Sequence, residues 1–567
     1  MRCSILLCLL LLPAAAQTSP IGQPGGESRS PRPLGSVSGR ILDAYTGEPV
    51  AGARVMAFNL RAPGPMVAGM SNADGRFSLA GLPPGPQYVQ AMHPNYPGLL
   101  GLPQGGVYIG VQPDRETTDV AVKLLPAGVA SGRVRDDSGE PICNCVVILT
   151  QAQMGNSQPQ VIASGTTDDR GEFRLAPIPP DRYVLSTECT ARLPEEYPLD
   201  VVGPYGMEPR EAWPRVYYPG SRTRAGATEF GVAPGGEQKI EFRLKRQRVG
   251  NLRGVLTPIP AGTWSDPPRI YLVPSAPEES ANYKVTGINR GNNSFYFQSV
   301  PPGSYELKAS AQRGSRESAS FASLHFTMGP ATPPPVTLQL HPTMVVKGKV
   351  DAPPQALAGT GQGKSISYVT LNPPTFSEHM LALSGTIDTR DGSFQIAGVT
   401  PGRWTIGYGS SLGPTWIEAM QFGGTPVNGR TIEVTADSSA ELRLSISSKF
   451  PTAQLELQMR SASPDTYWMV QALRASGSII ERPVQAGSGF AGEKLRWGLL
   501  PPGQYYVSGV PQSYSGEMIN QRLAELLRRE LQPVEIPSTS GKAISVPCFS
   551  YEEIQRIATA YITGEAQ

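Results

Sequence analysis

Histidine is scarce in this 567-residue sequence, which has only four: His93, His325, His341 and His379. None lies at HxxE, HExxH or HxH spacing, so the local ligand sets of a zinc hydrolase are missing and no metal is expected. Cysteine is nearly as rare, with six residues, and Cys3 and Cys8 fall in the first sixteen positions. The other four, Cys143, Cys145, Cys189 and Cys548, are too few for a disulfide framework, so the domains must stand on hydrophobic cores. An excess of charge is also missing, with 49 Lys+Arg against 47 Asp+Glu and no basic run or acidic tail. A nucleic-acid partner is therefore not expected. Past the N-terminus no stretch of about 18 uncharged apolar residues occurs, which excludes a transmembrane helix after signal cleavage.

What is abundant is punctuation. The 62 glycines and 57 prolines carry no collagen period and sit between short apolar runs. Residues 1–16 read as a secretory signal: Arg2, an apolar run from Ile5 to Leu12, then Ala14-Ala15-Ala16 before the cut. Residues 17–34 form a Pro/Gly/Ser-rich linker.

One twelve-residue stretch then recurs five times: DGRFSLAGLPPG at 74–85, RGEFRLAPIPPD at 170–181, NNSFYFQSVPPG at 292–303, DGSFQIAGVTPG at 391–402 and GEKLRWGLLPPG at 492–503. In most copies it opens on a polar turn, as at Gly75, Gly171 and Gly392. A period-two strand follows, and then an aliphatic anchor: Leu82, Ile178, Val300, Val399 or Leu500. Proline stops the strand because it lacks the ladder N–H. An aromatic (Tyr88, Tyr183, Tyr305, Trp404, Tyr505) opens what reads as the return strand of a hairpin. In the first copy one extra residue precedes it, so a bulge at Pro86-Gln87 is expected to restore register. A block repeating at about one β-sandwich length predicts an all-β chain of about five tandem Ig/transthyretin-like sandwiches. The boundaries fall at 35–126, 127–246 with an insertion at about 190–235, 247–341, 342–448 and 449–567. The last segment also carries two helical patterns, 516–531 and 550–564. The first puts Ile519, Leu523, Leu526, Leu527 and Leu531 on one face, and the second has Ser550 and Glu553 at capping-box spacing.

SGR-[IV], then GEP-[VI], then DGRFSLAGLPPGPQY resembles the carboxypeptidase regulatory-like domain. That resemblance implies a seven-stranded, transthyretin-like sandwich of an exported bacterial protein, related to collagen-adhesin B-type repeats and to starch-binding-like modules. The family takes its name from its place beside a metallocarboxypeptidase catalytic domain, and no such catalytic domain is present in the sequence.

No catalytic residues or cofactors are expected. Gly409-Ser410-Ser411-Leu412-Gly413 fits G-x-S-x-G but follows a sandwich strand with no helix behind it. Asn72 to Gly75 and Asp388 to Gly392 read as turns rather than calcium loops. The candidate patch for a ligand or partner is Trp213, Arg215, Tyr217 and Tyr218 in the second-domain insertion, as exposed flat rings beside a cation. Against it stands burial of the same rings at a domain junction. The expected disulfide is Cys145–Cys189 or Cys143–Cys189, with Cys143 pointing the same way as Cys145. The role expected is that of a secreted binding or spacer protein, periplasmic, cell-surface or extracellular, with an envelope polysaccharide or a protein as partner. Alternatives are a starch-binding-like carbohydrate binder and an accessory subunit of a separately encoded hydrolase or outer-membrane transporter. Oligomeric state is left open.

Overall fold

The computed structural model describes residues 33–59, 66–101, 106–152, 160–189, 202–203, 206–207, 211–258, 266–276, 284–289, 291–312, 319–329, 331–352, 367–373, 382–410, 415–435, 440–450, 454–459, 467–475, 484–490, 495–496, 500–511, 517–536 and 543–564. The signal, nearly all of the linker, Trp264, His379 and Trp497 lie outside them.

The first domain shows the plan. Its strands are β1 (Gly35–Asp43), β2 (Arg54–Phe58), β3 (Val67–Met70), β4 (Arg76–Leu82), β5 (Gly85–Met92), β6 (Val107–Val111) and β7 (Glu116–Leu124). They form two sheets, β4-β1-β7 and β3-β2-β5-β6. β1 runs antiparallel to β4 and parallel to β7, so the first and last strands of the domain lie side by side. Val37, Ile41, Phe77, Leu79 and Leu82 from one sheet meet Val55, Ala57, Val89 and Ala91 from the other in a single core. The same arrangement, with parallel first and last strands, recurs around Gly250–Thr257 and Val336–Gln339 in the third domain and around Met344–Asp351 and Leu442–Ser447 in the fourth. In the fifth, Gln454–Met459 runs parallel to Ala543–Cys548, and one pairing, Gly509 with Cys548, joins the two layers. The chain is thus all-β in tandem sandwiches, with two helices near its C-terminus.

The repeated block is not a hairpin. β4 and β5 follow each other directly, yet β4 pairs with β1 and β5 with β2, in different sheets. Pro83-Pro84-Gly85 is therefore a corner at which the chain crosses the core. The other copies do the same: Ser294–Val300 pairs with the first strand of its domain and Gly303–Gln312 with Asp266–Pro274. Each corner is tied by its following side chain. Tyr183 Oη donates to Pro179 O (2.5 Å), Tyr305 Oη to Pro301 O (2.9 Å), Trp404 Nε1 to Thr400 O (2.9 Å) and Tyr505 Oη to Pro501 O (3.0 Å). In the first domain that donor is Gln87 Nε2, to Pro83 O at 2.8 Å. Gln87 takes the aromatic's position, and Val89 and Ala91 keep the inward parity with no bulge: β5 pairs continuously with β2 and β6. Tyr88 instead lies against Tyr108 and Phe58 on the other side of the strand.

The glycine of the opening motif is explained by its neighbours. Gly39, Gly132, Gly254 and Gly348 stand opposite Phe77, Phe173, Phe295 and Phe394. Each phenyl lies across its glycine, and a Cβ there would overlap both the ring and a carbonyl of the parallel last strand. Close approach of two backbones under a ring requires glycine at this point.

The second domain contains β8 (Gly128–Asp136), β9 (Cys145–Gln151), β10 (Val161–Thr166), β11 (Glu172–Ile178), β12 (Asp181–Cys189), the two-residue β13 (Val202–Gly203) and β14 (Gly206–Met207), β15 (Glu211–Tyr217), β16 (Phe230–Val232), β17 (Glu237–Leu244) and β18 (Gln247–Arg248). Its sheets are β11-β8-β17 and β10-β9-β12-β15-β18, with β16 also on β12. The insertion thus adds a strand to the sandwich: β16 pairs with the start of β12, and β15 with its end.

The last domain folds back on the first two. Helix α1 (Glu517–Arg528) and helix α2 (Tyr551–Thr563) contribute Leu523, Leu526, Leu527, Ile554 and Ile557 to an apolar cluster that also contains Leu99 and Leu100 of the first domain. α2 has the expected capping box between Ser550 and Glu553, and Gly564 ends it at φ 80°. Arg522 Nη2 reaches both oxygens of Asp181 at 2.7 and 2.8 Å, and Arg522 Nη1 donates to Ala152 O at 3.2 Å. Gly231 of β16 packs against the Ile562 carbonyl. Helices expected on or beside the last sandwich therefore also clasp the first and second. No helix among the described residues is long and apolar enough to cross a membrane.

Candidate binding cleft

β15 is positioned by its pairing with β12, which sets Trp213 opposite Cys189 and Tyr217 opposite Ser186. That pairing turns the rings inward: Trp213 is 8 % exposed and Tyr217 4 %. Tyr218 is half-buried, with its ring 6.0 Å from that of Phe242. Arg246 lies 4.7 Å over the Trp213 ring. The exposed aromatic patch expected from the sequence is corrected here, because strand pairing with β12 carries Trp213 and Tyr217 into the domain core. Of the four residues, Arg215 keeps a polar role, bonding Glu188 at 2.7 Å.

The cysteines are now placed. Cys145 and Cys189 face each other across β9 and β12 and form a disulfide. Cys143 is exposed and free. It does not share the direction of Cys145, because Asn144 has φ 57° and the alternating strand begins only at Cys145.

β15 forms one wall of a cleft of about 710 Å³ between the second and third domains. Glu188, Glu211, Trp213, Arg215 and Arg222 line it from the second domain. Lys284 and the corner from Gln298 to Tyr305 line it from the third. Lys284 Nζ donates to the carbonyls of Gln298 (3.2 Å) and Ser299 (3.1 Å). Burial by the walls pulls the pKa of Lys284 down, and Glu188 opposes the shift. Burial lowers that of Arg222 as well, against the pull of Tyr305. Arg222 bonds the neutral amide oxygen of Gln247. The Trp213 indole N–H is buried without a hydrogen-bond partner among the described residues. Lys284 and Arg222 carried no signal in the sequence, and Tyr305 was marked there only as the aromatic that follows its corner.

Among the described residues, no group of three or more His, Cys, Asp and Glu could hold a metal. The Asn72 carboxamide oxygen accepts from the Asp74 and Arg76 amides (3.0 and 2.8 Å), and Asp388 is held by Arg390, so these turns use their own oxygens. The Gly409 to Gly413 stretch is described only to Ser410, at the end of a sandwich strand.

The sequence model of the carboxypeptidase regulatory-like domain matches residues 36–103 and 129–245, the first two sandwiches. No curated protein matches the chain. Among solved structures, the Bacillus anthracis TIE protein is 14 % identical over 54 % of this chain, with a TM-score of 0.16. The chain spans about half of that protein's length, 51 %. GBS52, the minor pilin in the gram-positive pathogen Streptococcus agalactiae, is 12 % identical over 40 % of this chain and 99 % of its own, with a TM-score of 0.22. The shaft pilin spaA from Lactobacillus rhamnosus GG is 11 % identical over 38 % and 98 %, also with a TM-score of 0.22. At these scores the likeness bears on neither mechanism nor partner.

Proposed function

We propose, from a chain whose first two sandwiches belong to the carboxypeptidase regulatory-like family, that this is an exported, non-enzymatic binding and spacer protein of the cell envelope or the extracellular space. Regulatory-like domains are a non-catalytic kind, and the reading rests on what the sandwiches build between them. One observation carries it: an inserted strand, β15, makes one domain present a cleft of small-ligand size to the next. Binding sites concentrate in such departures from a repeated scaffold. The back-folded helices support the same reading, because they hold the cleft-bearing second domain against the first and last.

The test has two arms. Expression with and without residues 1–16 in a bacterial host is expected to place the full chain outside the cytoplasm and to retain the truncated chain within it. Co-sedimentation of the purified mature chain with envelope polysaccharide and with envelope protein fractions is expected to show saturable retention. A chain that stays cytoplasmic, or is retained by neither fraction, overturns the proposal.

A further inference from the structure

We propose that this chain is a tension-released extender, in which the docked helices α1 and α2 take the first load and separate before any sandwich unfolds; this rests on the spacer reading above. The sandwiches have a strand geometry that resists pulling. In each, the first and last strands pair in parallel, so the chain enters at one end of the pair and leaves at the other. Tension between entry and exit slides one strand along the other and strains all of their hydrogen bonds together. Strands loaded from one end would instead open bond by bond. Forced unfolding is governed by the unfolding barrier, and a barrier shared by every bond of the pair is a high one.

The clasp lacks that geometry. No sheet joins the last domain to the first two among the described residues. α2 closes at Gly564, and its last turn lies on the second domain, with the Ile562 carbonyl against Gly231 and the Tyr561 ring 5.8 Å from the Arg182 guanidinium. Leu99 and Leu100 of the first domain share the apolar cluster of the two helices. Tension between Gly35 and Gly564 therefore runs through the first two domains and directly into α2. The Asp181–Arg522 pair and the apolar cluster bear it, and the third and fourth domains stay outside the loaded path. Those two have the shortest parallel pairing among the described residues: 254–257 with 336–339, and 348–351 with 442–445. In the second domain the pairing extends over 129–136 with 237–244. The clasp thus shields the two sandwiches least able to resist shear, and gives way through packing and one ion pair, which a separation of a few ångströms breaks.

The experiment is optical-trap pulling of the full mature chain, held by peptide tags at its two ends. The first event should be a short lengthening of about 50–100 Å, the span of two or three folded sandwiches at roughly 30 Å for each strand length. Unfolding one sandwich of about 100 residues would instead release about 300 Å. On relaxation the short step should close again, because both faces stay folded and tethered to each other. Two substitutions from opposite sides of the interface test the assignment: Arg522→Leu removes the ion pair, and Gly231→Ala places a Cβ that overlaps the Ile562 carbonyl. Each should abolish the short step or lower its force at least about twofold, and leave the long steps unchanged. A first event of sandwich length, or a short step indifferent to both substitutions, overturns the inference. A chain that is exported and retained by envelope material but lacks the short step overturns this inference alone. A chain that shows the short step but fails both arms of the earlier test overturns the functional reading alone.

Discussion

Gln87 shows how one side chain can keep a repeated device working with different chemistry. The other four corners close with a phenol or indole donor, and here an amide gives the same bond to the carbonyl four residues back. Its Oε1 is buried without a partner among the described residues, so the amide gains one hydrogen bond and leaves one acceptor unmet. Gln87→Met should therefore change stability by less than about 1 kcal/mol. The glycine under the phenyl ring behaves differently: Gly132→Ala forces a methyl into the Ile240 carbonyl and the Phe173 ring and should cost about 1–3 kcal/mol. Phe394→Ala should cost about 3–5 kcal/mol and expose 342–448 to protease while sparing its neighbours. Urea midpoints rank the three. Asp181 adds a pH dependence. Burial pushes its carboxyl up to about 6, and Arg522 with two further hydrogen-bond donors, the Arg182 amide and the Gln151 side chain, offsets only part of that. An unfolded aspartate titrates near 3.9 (roughly), so the unfolded chain holds fewer protons between the two values. The group's stabilisation is full below about 4 and is lost as pH rises through about 6. Wild type should be more stable at pH 5 than at pH 7.5 relative to Asp181→Asn, in which the slope from this group disappears.

At the scale of elements, what was legible in the sequence was local. Period-two alternation marked the strands, the capping box marked α2, and the five proline stops marked the ends of the crossing strands. Pairing partners were not legible. A Pro-Pro-Gly stop between two apolar strands fits a hairpin and an inter-sheet corner equally well, and the choice is made by strands that lie 36 to 50 residues away in the chain. The same lack of pairing information misplaced Trp213 and Tyr217, whose burial follows from the register of β15 on β12. The disulfide belongs to this scale because it fixes β9 to β12 beside that register. With its cysteines 44 positions apart, the chain-entropy argument gives about 4 kcal/mol, and measured values run about 2–4 kcal/mol. Reductant should lower the urea midpoint of the second domain accordingly. The denatured, unreduced mature chain should show two free thiols, Cys143 and Cys548, by thiol titration. The buried Cys548 thiol, pushed up to about 12 by its surroundings, should react in the native state far more slowly than Cys143.

The whole molecule is set by a contact between residues 341 positions apart. Its signal was present in the repeat without being readable. The third corner residue is glycine in four copies and Asp181 in the second, and Arg522 interrupts the apolar face of α1. Neither departure points to the other until the last domain folds back. Breaking such a buried pair from one side leaves an unpaired charge in the interior and typically costs about 3–5 kcal/mol, while replacing both partners by apolar or neutral groups is often close to neutral. Arg522→Leu should therefore strand Asp181 and release the helices. Small-angle scattering should show a longer envelope, and amide exchange should rise in α1, in α2 and around Gly231. Adding Asp181→Gly restores the residue used by the other four corners and removes the stranded charge. Because Leu523, Leu526, Ile554 and Leu100 remain to be buried, the double variant should dock again and recover most of the exchange protection. If the single variant keeps the wild-type envelope and exchange pattern, apolar burial alone holds the clasp. If the double variant stays open like the single one, the ion pair itself, rather than relief of a stranded carboxylate, closes the molecule.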